Sequence, residues 1–390
     1  MLRTNGNSTN FEMKFINMKK GLLLGICSLF FWGSCLNDSI SEQNTGTQIK
    51  LQYAKMFSVN ETDEYVLINV RNPWDSTQIL QTYVLVDREK KLPDNLPIGT
   101  LVRTPVKSAI AFSTIHCSSL DEIDALDVVT GVCEPQYISI DKVQDSLRAG
   151  SIADVGVAAN PDIEKILMLE PDVLFVTPIH GENYGQIEKM NIPIIETPDY
   201  MESEPLGRAE WIKFYSFFVG KESLADSLFN ITVRNYNSIK ELTNREVNKP
   251  TVFTDTKYQA SWNVPGGKSF LANMLADAGA LYAWNDDNST SFHPLSFETV
   301  LDKAGDADLW LIKYYSPADM TYESLEKEYE PYTLFKAYKK MGIYQCNTFH
   351  SKYFEDLPIH PDYILRDFAA IFHPHLFPDY ENVYYKSMKK

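Results

Sequence analysis

The chain has 390 residues, 44% of them apolar and 13% aromatic, and a formal charge of −16 at neutral pH. That length suffices for two ordinary domains with separate cores. An acidic balance without any basic cluster argues against nucleic acid as a partner.

The N-terminus reads as a targeting segment. "MKKGLLLGICSLFFWGSC" sets Lys19 and Lys20 ahead of an apolar run from Leu22 to Trp32, with small residues before Cys35. Polar residues precede Met18, which makes Met18 the expected start. The run is short for a bilayer span. "WGSC" resembles a bacterial lipobox, whose cysteine becomes the lipidated first residue, so residues 1–35 are the expected lipoprotein signal and Cys35 the anchor. An ordinary cleaved signal is the alternative. The expected location is the periplasm, held to a membrane by more than one acyl chain. Cys117, Cys133 and Cys346 remain, and a disulfide between Cys117 and Cys133 stays open.

Residues 36–50 are polar and read as a tether. Over 51–106, "EYVLINV" and "TQILQTYVLVD" alternate apolar and polar residues between turns at "NPWD" and "LPDNLP", which predicts an accessory antiparallel β segment. Over 107–204 the pattern changes to strands alternating with helices. "SAIAFS", "SLDEIDALD", "VVTGVCE", "PDIEKILMLE", "DVLFVT", "YGQIEKM" and "IPIIET" imply βαβ units and a parallel sheet covered on both faces. Residues 205–246 are helical and lack strands. The alternation resumes over 247–390 with "TVFTDT", "KSFLANMLADAG", "FETVLDKA", "DLWLIKYY" and "PDYILRDFAAIF". The predicted fold class is α/β: two doubly wound, mainly parallel-sheet lobes joined by a long α-helix, with an N-terminal accessory β segment.

One unit is written twice. "NPDIEKILMLEPDVLFV" (160–176) and "PLSFETVLDKAGDADLWLI" (294–312) each put a glutamate at a helix start and run through Asp into an apolar strand. The helix dipole alone favours such a glutamate by about 0.3–1 kcal/mol. Asn160 with Pro161, and Ser296, read as the two helix starts.

With these units, "GGKSFLANMLADAGA" and the ending "HPDYILRDFAAIFHPHLFP", the chain from Lys107 to Tyr380 resembles the periplasmic substrate-binding proteins of ABC importers for iron complexes and corrinoids. The resemblance implies two α/β lobes joined by a rigid helix, no enzymatic activity and no resident cofactor. It also implies a monomer that hands its ligand to a permease dimer with its ATPase. The ligand is then a siderophore-type ferric complex or cobalamin. Each lobe of that family shows the permease a surface glutamate, which falls here on Glu164 and Glu298. In the corrinoid branch an aromatic stands six residues before each; Phe292 matches and Ala158 does not.

Ligands of such sheets bind at the strands' C-terminal edges. Candidates there are Ser113, His116, His180 and Tyr184 in the first lobe, with Tyr258, Trp262, Phe292, His293, Tyr314 and Tyr315 in the second. Aromatic faces suit a large planar or chelate ligand. Arg208 has two readings: a partner for an anionic ligand near the hinge, or a pairing with Glu210 or helix cap. His116 and His180 give an alternative carrier of free metal or haem, though their spacing forms no compact metal motif. No G-x-S-x-G elbow, phosphate loop or metalloprotease motif supports the other alternative, an exported enzyme.

Overall fold

The computed structural model describes residues 46–390. The expected signal, Cys35 and most of the expected tether lie outside the described residues. The accessory sheet begins at Thr47, inside that tether. It runs β1 (Thr47–Ile49), β2 (Phe57–Glu61), β3 (Val66–Arg71), β4 (Ile79–Asp87) and β5 (Thr100–Thr104), in that spatial order. The first four strands pair antiparallel, whereas β5 lies parallel to β4. Strand alternation sends Phe57, Val59, Ile68, Val70, Tyr83 and Leu85 to one buried face.

The N-terminal lobe follows as β6 (Ala109–Ala111), α1 (Thr114–Glu122), β7 (Val129–Val132), α2 (Asp141–Ala149) and β8 (Ala153–Asp154). A small hairpin of β9 (Gly156–Val157) and β10 (Asn160–Pro161) leads to α3 (Ile163–Leu169), β11 (Val173–Val176) and β12 (Ile194–Glu196). The sheet order is β12-β11-β6-β7-β8, all parallel, so the winding reverses between β6 and β11. Every residue of β6 and β11 is buried, as expected for strands covered on both faces. The stretch "YGQIEKM" forms a short 3-10 turn, Ile187–Met190, and not the expected helix. The helix expected at "SLDEIDALD" is α1, which starts earlier and ends at Glu122.

The connecting region is three helices, not one: α4 (Pro205–Ala209), α5 (Trp211–Val219) and α6 (Glu222–Asn244). Gly220, in the left-handed region at φ 66°, ends α5 and turns the chain into α6. Eight of the nine residues of α5 are buried, because the helix lies between two sheets. Phe57 meets Trp211 and Phe214 from the accessory side, while Phe175 of β11 meets Tyr215 and Phe218 from the other. The 23 residues of α6 reach about 34 Å, long enough to serve both lobes. Ala225 and Phe229 join the N-terminal core, Tyr236 and Ile239 the C-terminal one.

Two buried carboxylates bolt the accessory segment to this connection. Glu210 accepts the backbone N–H groups of Gln52, Tyr53 and Ala54, and Lys213 completes it at 3.2 Å. Glu202 accepts those of Lys55 and Met56 and the Trp211 indole. Five main-chain donors that would otherwise be buried unpaired are thereby satisfied.

The C-terminal lobe comprises β13 (Thr251–Thr254), β14 (Trp262–Pro265), α7 (Phe270–Asp277), β15 (Leu281–Tyr282), β16 (Phe292–Leu295), α8 (Phe297–Ala304) and β17 (Leu309–Tyr314). It continues with α9 (Tyr322–Glu328), α10 (Lys336–Lys339), β18 (Ile343–Asn347), α11 (Tyr353–Asp356), α12 (Pro361–Phe372) and β19 (Lys386–Ser387). The sheet order is β15-β13-β17-β18-β19, with the last strand antiparallel and the winding reversed between β13 and β17. The lobes touch through Glu355, which accepts from Ser139 N–H at 2.9 Å and Thr114 Oγ1 at 3.4 Å, and through His360 with Glu122 at 3.1 Å. Cys117, Cys133 and Cys346 are all free and buried, so the open disulfide between the first two is not formed.

Candidate functional site

Loops leaving adjacent parallel strands diverge where the winding reverses, and a crevice opens at the strands' C-terminal edge. In the N-terminal lobe that point holds a cavity of about 770 Å³. Phe112 and Ser113 come from the end of β6, Val176 and Thr177 from the end of β11. Glu134, beyond β7, the β9–β10 segment from Val157 to Pro161 with Ile163, and the loop with Ile179, Glu182 and Tyr184 complete its wall. The lining is mostly aliphatic, amide and carboxylate, with Phe112 and Tyr184 as its aromatics. Glu134 holds a left-handed conformation, φ 49°, with its N–H on the Gly156 carbonyl at 2.8 Å. Non-glycine residues in that region cluster at functional sites.

The matching reversal in the second lobe places Asp255, also left-handed at φ 61°, after β13, and Lys313 near the end of β17. Lys313 is partly buried, with its ammonium 5.5 Å from the Tyr353 ring centre. Burial works against its charge, but Tyr353 and Asp255 outweigh that and raise its pKa. Among the described residues it makes no ion pair within 4.0 Å. Burial pulls the pKa of Arg208, on α4, below its usual value, against the opposing charge of Asp199. Its guanidinium lies 4.0 Å from the Phe270 ring centre and donates to the Tyr200 carbonyl. Beside it Asp199 is fully buried, and burial lifts its carboxyl to about 6 against the pull of Arg208. Arg208 neither pairs with Glu210 nor caps a long helix, because Glu210 is occupied by the N-terminal segment.

The other sequence candidates divide. Ser113 lines the cavity but its hydroxyl also caps α1, accepting from Ile115 N–H at 3.4 Å. Tyr184 lines it too, donating to Glu196 Oε1 at 2.7 Å. His116 does not face the cleft. It is fully buried, with Nε2 3.0 Å from Thr197 Oγ1, and burial pulls its pKa down to about 3. Helix α1 turns that residue inward against Phe175 and Tyr215. His180 is exposed and its ring meets that of Trp74, in the β3–β4 turn of the accessory sheet, at a tilt, 5.2 Å between ring centres. The two histidines therefore lie in different surroundings. Among the described residues no group of three or more His, Cys, Asp or Glu could hold a metal ion.

Trp262 corrects a second expectation. It is 0% exposed, donates to the Thr254 carbonyl at 3.0 Å, and packs with Phe253, Trp310 and Phe335 in the core. Tyr314 is also internal, its hydroxyl donating to Gln345 and accepting from Met320 N–H. Tyr258 and Phe292 are exposed, 73% and 62%. His293 pairs with Asp287 at 2.7 Å. Tyr315 is exposed and faces Tyr137 of the other lobe at 5.9 Å, an aromatic contact across the cleft. Lys313, Asp255 and Glu134 were missed. The available signal was a charged residue within or just after a continuous apolar strand, an exception to ordinary burial.

The repeated unit is equivalent in detail. The cap of α3 is Asp162, which accepts from Lys165 N–H, and Asn160–Pro161 belong to β10; the expected start at Asn160 was two residues early. Ser296 caps α8 through Thr299 N–H as expected. Glu164 and Glu298 are then each the second residue of a capped helix that follows a short antiparallel ladder, and both are exposed.

Comparison with known proteins agrees with the fold. An uncharacterized lipoprotein of Methanocaldococcus jannaschii is 27% identical over 370 residues, covering 87% of this chain and 85% of its own. The petrobactin-binding protein of Bacillus subtilis is 28% identical over 144 residues, 34% of this chain and 41% of its own. A periplasmic heme-binding protein from Pseudomonas aeruginosa superposes with a TM-score of 0.54 at 15% identity, covering 73% of this chain and 99% of its own, which shows a shared fold. The family model described as periplasmic binding protein matches residues 115–348, more than half of the chain, and the chain belongs to that family.

Proposed function

We propose that this protein is the substrate-binding component of an ABC importer. It captures a metal chelate, a ferric siderophore-type complex or a corrinoid, and delivers it to an inner-membrane permease. The observation that carries this reading is the equivalence of Glu164 and Glu298, exposed at one helical register in both lobes. One glutamate at a helix start is explained by the dipole. Two at matched positions suit a receptor with two-fold symmetry, where charge complementarity sets orientation and encounter rate. The cavity of about 770 Å³ lies within the size range of small-molecule sites. The match to a petrobactin-binding protein supports a chelate as cargo. Export and anchoring through Cys35 agree with the lipoprotein relative. A free-metal carrier built on His116 and His180 has less support, because His116 is enclosed in the core.

The test is Glu164→Ala with Glu298→Ala in the full chain, in cells that import the chelate the purified protein binds. Import should fall at least tenfold while chelate affinity stays within twofold. Undiminished import by the double variant would remove the docking assignment. No binding to iron(III)–petrobactin, haemin or cyanocobalamin would remove the chelate reading.

A further inference from the structure

We infer that the accessory β-sheet is a working part of the cargo site, with Trp74 a ligand contact at the cavity rim and Tyr83 the positioning residue behind the cavity wall. This rests on reading the cavity as the cargo site. The sheet lies outside the region matched by the family model.

The cavity's most exposed wall is the loop from Thr177 to Gln186, which contributes Ile179, Glu182 and Tyr184. Two of its supports lead back to the accessory sheet. At one end His180, next to Ile179, packs its ring at a tilt against Trp74. The turn carrying Trp74 is itself held by Asn72 Oδ1, which accepts from the N–H groups of Trp74 and Asp75. At the other end Tyr184 donates to Glu196 Oε1 at 2.7 Å, and the Glu196 N–H donates to Tyr83 Oη at 2.7 Å. Glu196 ends β12, the outermost strand of the N-terminal sheet. Without Tyr83 that buried N–H would lack its acceptor, so one hydroxyl on β4 fixes the strand end from which Tyr184 is held.

Trp74 differs from the other described tryptophans. Trp211, Trp262, Trp284 and Trp310 are buried, whereas Trp74 keeps part of its surface in water beside the exposed His180 and Ile179. A partly exposed aromatic beside that loop supplies broad contact area at low entropic cost. It is also a site-selective reporter. Fluorescence of Trp74 should be quenched by iodide, and bound cargo should protect it.

The experiment compares full-chain protein with Trp74→Ala, Trp74→Phe and Tyr83→Phe. Hydrogen exchange of the amides 177–187 is read without cargo. Affinity is then read for iron(III)–petrobactin, haemin and cyanocobalamin. In Trp74→Ala exchange should accelerate and affinity for the bound chelate fall at least tenfold at an unchanged unfolding midpoint, with Trp74→Phe restoring most of it. Tyr83→Phe should accelerate exchange and weaken binding about threefold. Unchanged exchange in both Trp74→Ala and Tyr83→Phe overturns the inference. So does affinity within twofold of the parent, or an affinity loss that only tracks a lowered midpoint. If the parent binds none of the three probes, the chelate reading falls, and the exchange data alone decide whether the sheet governs the loop.

Discussion

The two walls of the cleft are built on the same topology and end in different chemistry. Both lie where a parallel sheet reverses its winding, yet the N-terminal wall is hollow and the C-terminal wall is filled. In the first lobe Phe175 packs against Tyr215 and Phe218 of α5, with the accessory sheet behind that helix. The cleft side is left to Ser113, Glu134 and the loop around Tyr184. In the second lobe Phe253, Trp262, Trp310 and Phe335 stack on one another inside the lobe. Its cleft edge offers Asp255, Lys313 and Tyr315. The difference teaches that an aromatic after a strand becomes ligand surface only when no other layer claims it.

The largest test of this contrast is Trp262→Ala. A fully buried tryptophan in an aromatic stack should cost about 3–5 kcal/mol on truncation, read as a lower denaturation midpoint, whereas Trp74→Ala should leave stability nearly unchanged. Loss of cargo binding by Trp262→Ala with no loss of stability would break the contrast.

Next in size is charge. Lys313→Met should weaken an anionic chelate tenfold or more, about 1.4 kcal/mol, while Glu134→Gln on the opposite wall should change it less than threefold. Calorimetric titration of both variants decides which wall faces the anion.

A third test concerns the N-terminal wall. His116 is neutral in the fold because burial pulls its pKa from 6.5 to about 3. The unfolded chain therefore takes up a proton before the folded one does. Stability is full above pH 6.5 and falls on acidification, by up to about 1.4 kcal/mol per unit. Asp199 has the opposite sign. Burial raises its carboxyl from 3.8 to about 6, so the fold holds a proton that the unfolded chain has released, and acidification from pH 6 toward 4 adds stability. His116→Asn should flatten the loss between pH 6.5 and 5, and Asp199→Asn should steepen it below pH 6. Urea midpoints at pH 7, 6 and 5 check both signs. The smallest effect is expected of Phe292→Ala, within about 0.5 kcal/mol of the parent in stability, because the ring is exposed.

Much of the architecture was legible in the residues. The runs "DVLFVT", "TVFTDT" and "DLWLIKYY" became β11, β13 and β17, and "PDYILRDFAAIF" became α12 from Pro361 to Phe372. Continuous apolar runs bounded by turn residues leave a strand few other places to go. The site was less legible. Trp262 and His116 follow strands as ligand residues would, but a rotation of one side chain separates cleft from core, and packing sets that rotation. The connecting region was read as one helix because its apolar residues keep helical spacing through Gly220, whose left-handed turn only the tertiary course requires.

By itself the sequence determined the order of strands and helices, the duplicated glutamate unit and the acidic character, since periodicity, capping and charge are local properties. Tertiary structure alone decided two things: that Glu202 and Glu210 receive the main chain of residues 52–56, and that the Lys313 ammonium lies by the Tyr353 ring. Each joins groups distant along the chain. Their partners are selected by which buried polar groups would otherwise be left unpaired, and that becomes defined only once the lobes are packed.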